Sequence, residues 1–308
     1  MVCRHNASLN FDQVEAIVDK EHLATSGTKV NWDHPLTYTD KIDVSKIYMV
    51  SQQKADLSDK VAVRAWIADR IGANYLVPII GTYDDFESID FEKLPNSFVI
   101  KCNHDSASVT VIKDKSLITP KKYKRLKQKY DEFFLKRDYA FKGFEMHYSL
   151  ISPKIIVEQY LGDSISDYKF LCFDGTAKYC WVDFDRFTNH KRNIYDMDWK
   201  LQPFNQWKYG NYCKVVEPPK EFDEMKTIVS VLCKGFPHVR VDLYDIDGKV
   251  YFGEMTFTNG NGAEMITPPE WDRKLGDLWP FDYQAREKVR SMTNTPSEYI
   301  KSIKISNS

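Results

Sequence analysis

The chain of 308 residues has almost no net charge, with 43 basic residues against 44 acidic ones and a formal charge of -1. No whole-protein field therefore draws it to nucleic acid or to an anionic membrane, and any electrostatic function has to be local. It also lacks cysteine pairs. Cys3, Cys102, Cys172, Cys180, Cys213 and Cys233 are scattered without a Cys-x-x-Cys spacing, four of them inside apolar runs, which reads as buried or free thiols in a reducing compartment. No apolar run approaches the roughly 20 residues of a membrane span, and "MVCRHNASLNFDQVEAIVDKEHL" is too polar for a signal peptide. The expectation is a cytoplasmic protein with no integral membrane segment. Repeats and low-complexity sequence are absent, as is any convincing Ser-His or Cys-His arrangement. What the chain does have is 43% hydrophobic residues, enough to bury a substantial core in one large domain or in two or three lobes.

Residues 1–50 are mixed and weakly patterned, with a helical stretch over 11–23, and read as an accessory lobe. In "LSDKVAVRAWIADRIG" the residues Val61, Ala65, Ala68 and Ile71 repeat at helical spacing. Ser58 or Asp59 can cap that helix, Lys60 begins it and Gly72 closes it. "FVIKC" (98–102) is a short strand followed by the small polar loop "NHDSAS". A helix with a basic first half is expected over 119–140; its tyrosines and phenylalanines recur at helical spacing, which favours a solvated helix with a core face over a nucleic-acid stripe. Strands follow at 154–161, 168–175 and 177–185, the last two joined by Asp174-Gly175, then a helix over 220–234, then "RVDLYDIDGKVYFGEMT" (240–256). The order is mixed α+β.

That last stretch is a hairpin whose loop length decides which side chains meet. A two-residue Asp247-Gly248 turn throws Asp242 and Glu254 onto opposite faces. A three-residue Ile246-Asp247-Gly248 loop instead sets Arg240 opposite Glu254, with Asp242 diagonal to it at roughly 7 Å and Thr256 on the same face. The other face then reads Val239, Val241, Leu243, Tyr251, Gly253 and Met255, an almost wholly apolar set. Two carboxylates beside a guanidinium suit a hard cation with a phosphate held by the arginine. They equally suit a cross-strand ion pair on a solvated face.

Lys101 emerges from an apolar strand beside the "HDSAS" loop, which is one way to hold polyphosphate and also fits an ordinary snorkelling lysine. Lys60 opens a helix. "IIVEQYLG" is a strand ending in a polar pair and a glycine, and Asp167 and Lys169 share a face of the next strand. "DFDRFTNHKRN" (183–193) is dense in charge; Arg186 and Arg192 are its candidates for an anionic substrate, while His190 reads as structural. The Asp-x-Asp pairs "DFD" and "DID" would suit a metal-dependent glycosyltransferase, although "DID" falls in the expected turn.

Taken in order, the Asp-Lys helix start, strand lysine with its small loop, "VEQYLG", "DYKF" and "RVDLYDIDGKVYFGEMT" resemble the ATP-grasp superfamily, which includes the D-alanine:D-alanine ligases. "DKVAVRAWIADRIG", "PNSFVIKCNHDSAS", "DRFTNH" and "FGEMTFTNGNGAE" resemble its TupA-like branch, associated with teichuronopeptide and capsular polysaccharide biosynthesis. The resemblance runs from about residue 58 to about 280. It implies two α+β lobes gripping ATP between antiparallel sheets: an accessory lobe over 1–57, a first grasp lobe over 58–161 and a second over 162–308 with a C-terminal helix. It also implies that Lys60 and Lys101 contact phosphates under the 103–108 loop with Ser106 and Ser108, and that Glu158, Gln159 and Leu161 frame adenine. Asp167 would take the ribose, Asp242 and Glu254 would ligate Mg²⁺ (or Mn²⁺), Arg240 would steady the transferring phosphate and Lys169 would point into the same cleft. Two departures stand out. Thr256 occupies a place where many members have Asn, with Asn259 nearby as a substitute metal ligand, and "HDSAS" lacks the family's usual glycines.

The implied activity is an ATP- and Mg²⁺-dependent ligase that joins a carboxylate to an amine through an acyl phosphate. Its partners would be small-molecule or saccharide substrates and other polysaccharide-assembly enzymes, with no nucleic acid. The alternatives are a glycosyltransferase of the same pathway using a nucleotide sugar, and a nucleotide-binding module without turnover.

Overall fold

Two antiparallel sheets, flanked by helices, organise the computed structural model, which describes all residues except 1, 106, 136–139, 164–165, 185–189, 207–209, 213–215 and 307–308. The first sheet comprises β1 (Ile79–Tyr83), β2 (Phe98–Cys102), β3 (Thr110–Ile112) and β4 (Ile155–Gln159), in the order β1-β4-β2-β3. Period-two alternation sorts its faces. Phe98, Ile100 and Cys102 face a core with Tyr130 and Phe134, whereas Lys101 and Glu158 lie on the opposite face, joined by a 2.6 Å ion pair. The single helix expected over 119–140 is divided. Thr119 caps an α-helix over Pro120–Lys127, which widens to a π-helix over Gln128–Phe134, and 136–139 lie outside the described residues.

The second sheet holds β5 (Ser166–Phe173), β6 (Thr176–Phe184), β7 (Lys191–Asp196), β9 (His238–Ile246) and β10 (Lys249–Thr256), in the order β10-β9-β5-β6-β7; β8 (Asn205–Gln206) pairs separately with β11 (Ile266–Thr267). The three expected strands and the hairpin are present. What read as a charged loop up to 193 ends in β7, so that Asp183 and Arg192 are cross-strand neighbours.

The hairpin register differs from expectation. Ile246 opposes Lys249, so the loop is the two-residue Asp247-Gly248 turn, with φ of 53° and 79°, the signature of a type I′ turn. Parity is restored further on by a bulge at Gly253. Beyond it Glu254 opposes Asp242, and Thr256 opposes Arg240. Asp242 and Glu254 are thus the directly opposed pair and Arg240 is the diagonal one. The apolar face changes to match: Val250 and Phe252, not Tyr251 and Gly253, join Val239, Val241, Leu243 and Met255 in the core.

A Cβ on Gly253 would sit 3.0 Å from the Asp242 carbonyl oxygen and 3.0 Å from the Tyr244 ring. Gly253→Ala is therefore expected to destabilise the chain by about 1–3 kcal/mol. A thermal midpoint equal to wild type would contradict the reading of the bulge as a tight fit.

Helices supply the remaining walls. α1 (Val2–Asn6), α2 (Phe11–Ser26), α3 (Tyr38–Tyr48) and α4 (Gln52–Ser58) precede α5 (Val63–Ile71); α6 is Pro120–Lys127, α7 Ala140–Gly143 and α8 Phe222–Leu232; α9 (Glu270–Asp277), α10 (Ala285–Met292) and α11 (Pro296–Ser306) close the chain. α5 begins three residues later than expected, after a turn in which Asp59 accepts from the N–H of Val61 and Ala62. Its buried residues are Val63 and Ile67, not the Val61/Ala65/Ala68 set. The cores cut across the expected lobe limits. Leu57, Val63 and Ile67 pack under the second sheet with α8, and the α2 and α3 residues Val14, Val18 and Ile47 share a core with Val289 and Ile300. No helix among the described residues is long and apolar enough to cross a membrane.

Candidate functional site: an acid and arginine cluster on one sheet face

Strand register assembles the site. Lys169, Asp242 and Glu254 form one row across β5, β9 and β10, because Lys169 opposes Asp242 and Asp242 opposes Glu254. The next row carries Leu171, Arg240 and Thr256. Asp167 lies two residues before Lys169 on that same face. Five functional candidates from three strands thus converge.

Arg240 is the hub. Its Nε donates to Asp242 Oδ1 at 2.7 Å, and its Nη2 to Asp242 Oδ2 and Glu254 Oε1, both at 2.8 Å. Its Nη1 donates to Asn259 Oδ1. Lys169 Nζ donates to Asp167 Oδ2 and, at 3.1 Å, to Asp242 Oδ2. Thr256 Oγ1 donates to Glu254 Oε1 at 2.9 Å, so the threonine in the expected asparagine's place orients the glutamate.

The two acids differ in access: the Asp242 side chain is 3% exposed and that of Glu254 31%. Burial raises the Asp242 pKa against the opposing pull of Arg240 and Lys169, with the negative charge of Glu254 adding to the rise. For Glu254 the upward push of burial is outweighed by Arg240, then Lys60 and Lys169, which bring its pKa to about 2. With a folded value below the ordinary 4.5, Glu254 contributes stability that is complete above 4.5 and lost as pH falls towards about 2. Lys60, ahead of α5, and Glu158 of the first sheet thus act electrostatically on Glu254 and Tyr244 of the second.

The remaining candidates fall in several places. Lys60 Nζ donates to the Asp105 carbonyl at 2.6 Å. Part of the 103–108 loop closes on itself: Asp105 Oδ1 takes the N–H groups of Ala107 and Ser108, and the fully buried Ser108 hydroxyl accepts from Cys102 N. In this conformation Ser108 presents no surface to a phosphate, contrary to expectation, because its hydroxyl is buried on Cys102 N and its N–H is taken by Asp105. Ser106 and Arg186 lie outside the described residues. At the end of β4, Glu158 is buried on Lys101, Gln159 N–H donates to Pro78 O while its side chain is exposed, and Leu161 is half-buried.

Arg192 does not fit the expected free anion anchor. It is buried and grips Asp183 through Nε at 2.6 Å and Nη2 at 3.0 Å, which holds the Asp183 carboxyl well below its usual range against the penalty of burial. His190 lies 3.1 Å from the same acid, in keeping with a structural role. Asp183 of "DFD" is therefore committed, and Asp245 of "DID" accepts the Gly248 N–H at 2.9 Å, shaping the turn. Gln206 and Glu145, which closes on Thr258, carry no sequence signal and were not anticipated.

The donor set suits a hard cation. Asp242, Glu254 and the Asn259 amide carry its oxygens; those of Asp242 and Asn259 accept from Arg240 and Lys169, and among the described residues Glu254 Oε2 accepts no protein hydrogen bond. No three His, Cys, Asp or Glu side chains form a metal-binding group among the described residues. Two carboxylates are the set that Mg²⁺ takes when phosphates and waters complete its octahedron.

A family model described as "TupA-like ATPgrasp" matches residues 40–279, and the chain belongs to this TupA-like ATP-grasp family. The match starts near residue 40, earlier than the expected 58, and so takes in most of α3. No curated protein matches the chain. Among solved structures, the D-alanine-D-alanine ligase from Helicobacter pylori is 12% identical over 73% of this chain and 61% of its own, with a TM-score of 0.42. The L-amino acid ligase from Bacillus licheniformis is 13% identical over 73% and 49%, with a TM-score of 0.42. ATP-grasp ligase PsnB, solved with a minimal precursor, Mg and ADP, is 13% identical over 67% and 52%, with a TM-score of 0.38. The chain spans less than two thirds of each of these proteins, and at such scores the likenesses decide nothing about substrate or chemistry.

Proposed function

We propose that the chain is an ATP- and Mg²⁺-dependent ligase that joins a carboxylate to an amine in bacterial surface-polysaccharide or cell-envelope biosynthesis, attaching an amino acid or peptide to a sugar acid. The observation that carries this reading is the row Lys169, Asp242, Glu254 with Arg240 beside it, in a chain that belongs to an ATP-grasp family. Asp242, Glu254 and Asn259 would hold Mg²⁺ (Mn²⁺ being the alternative), which when bound neutralises charge on the polyphosphate.

Lys60 and Lys101 would neutralise the outer phosphates from the first sheet's side, and Asp167 would take the ribose. A substrate carboxylate oxygen attacks the γ-phosphorus and ADP leaves, giving an acyl phosphate; Arg240 and Lys169 hold the charge of the transferring group. The amine then adds to the acyl carbon, loses its proton, and phosphate departs as the amide forms. No side-chain nucleophile is required. The setting would be cytoplasmic, beside other polysaccharide-assembly enzymes.

One observation favours a second reading, a nucleotide-binding module without turnover: the Ala107 and Ser108 N–H groups and most of the Arg240 donors are already engaged by the protein's own acceptors. Mass spectrometry of mixtures of uronic acids and amino acids incubated with ATP and Mg²⁺ separates the two. The ligase yields an amide whose amount equals the ADP formed; ATP binding with no new amide supports the module.

A further inference from the structure

Outside the acid and arginine cluster, the structure holds one continuous chain of buried polar side chains that ends on it. Asp183 grips Arg192, whose Nη1 donates to Gln206 Oε1 at 3.2 Å; Asn259 Nδ2 donates to the same oxygen at 3.3 Å, and Asn259 Oδ1 accepts from Arg240 Nη1. Arg192, Gln206 and Asn259 are 6%, 1% and 1% exposed. The direction of both amides is forced. A guanidinium only donates, so Gln206 must turn its oxygen to Arg192 and Asn259 must turn its oxygen to Arg240, which leaves the Asn259 NH₂ to donate to Gln206 and towards the Tyr38 hydroxyl. Gln206 is itself pinned in β8, opposite Ile266 of β11.

We infer that Gln206 is a positioning residue. Its amide oxygen, held by the Asp183–Arg192 pair, locks the Asn259 side chain in the one orientation that accepts from Arg240, and so fixes the guanidinium in the plane it shares with Asp242 and Glu254. This rests on the ligase reading for its catalytic consequence but not for its geometry. Groups one step removed from a reacting centre typically change activity 10- to 100-fold when lost, and Gln206 is such a group for Arg240.

The test uses the full chain. Gln206→Met keeps length and packing but removes the acceptor; Gln206→Glu keeps the acceptor. With ATP, Mg²⁺ and a mixture of uronic acids and amino acids, Gln206→Met is expected to lower the rate of ADP release by about 10- to 100-fold, and Gln206→Glu to restore most of it. Adding Gln206→Met to Asn259→Ala should cost nothing further, because the two act in series. Wild-type ADP release in Gln206→Met, equal loss in the Glu variant, or losses that multiply in the double variant would each overturn the inference. Gln206→Thr, compatible with a strand and too short to reach either donor, takes the place of Gln206→Met if the latter does not fold. A readout independent of turnover separates this inference from the ligase reading. Hydrogen exchange of the Arg240 guanidinium, followed by ¹⁵N NMR, should quicken about tenfold or more in Gln206→Met, the loss of one hydrogen bond to a charged group, while that of Arg286 does not change. Unchanged Arg240 exchange overturns the inference even if the protein is a ligase; faster exchange with no ADP release in wild type overturns only the ligase reading.

Discussion

Asp242→Asn and Glu254→Gln are each expected to cut Mg²⁺-dependent ADP release by about 100- to 1,000-fold, the scale on which one well-placed electrostatic group acts in a water-poor site. Both substitutions keep an oxygen in place while removing charge. Asn at 242 can still accept from Arg240 and Lys169, and the charges left, Lys169 and Arg240 against Asp167 and Glu254, balance. The expected loss of stability is therefore limited to about 1–3 kcal/mol, and the fold survives. Gln at 254 still accepts from Thr256 and Arg240. Circular dichroism and thermal midpoints verify folding, and a coupled ADP assay reads the rate. Full activity in both variants would make the acids ordinary ion-pair partners of Arg240.

Arg192→Met is expected to lower stability by about 3–5 kcal/mol, because it takes away the main partner of a carboxylate buried inside the protein. The Asp183 carboxyl is almost wholly buried and receives two hydrogen bonds from this one guanidinium. The double variant Asp183→Asn/Arg192→Met removes both charges and should recover much of the loss, which a substrate-binding arginine would not permit. Chemical denaturation of the two variants is the measurement. An Arg192→Met protein as stable as wild type but with a raised KM for the acid substrate would return Arg192 to the role of anion anchor.

Part of the site is legible in the sequence and part is not. The hairpin's residues read correctly as a cluster, yet the register that joins them was not readable, since a three-residue loop and a two-residue turn followed by a bulge yield the same parity at Asp242 and Glu254. Only Gly253, a glycine inside a strand, distinguishes them. α3 left no amphipathic signature because it is buried on every side. Its polar residues are satisfied internally: Thr39 bonds Asp272, Lys41 the carbonyls of Gly276 and Trp279, and Lys46 pairs with Asp43 and donates to Asn261 O. The stretch that read as a weakly patterned accessory lobe is thus a wall behind the loop that carries Asn259.

Strand lysines and acids stand out against apolar neighbours, so Lys101, Lys169 and Asp167 could be found from their surroundings. Gln206 and Glu145 could not, because an isolated amide or acid in irregular sequence carries no period. The 103–108 loop failed for another reason. Its polarity suggested donors for phosphate, but Asp105 is an acceptor within it and takes the Ala107 and Ser108 N–H groups for itself.

The measurement that bears most directly on the sheet-face cluster as a Mg·ATP site is titration calorimetry of the wild-type chain with ATP, ADP and UDP-sugars, each with and without Mg²⁺. Binding of ATP that strengthens with Mg²⁺, disappears in Glu254→Gln and has no counterpart among the UDP-sugars is the predicted result. Tight Mg²⁺-dependent binding of a UDP-sugar with none of ATP would contradict it.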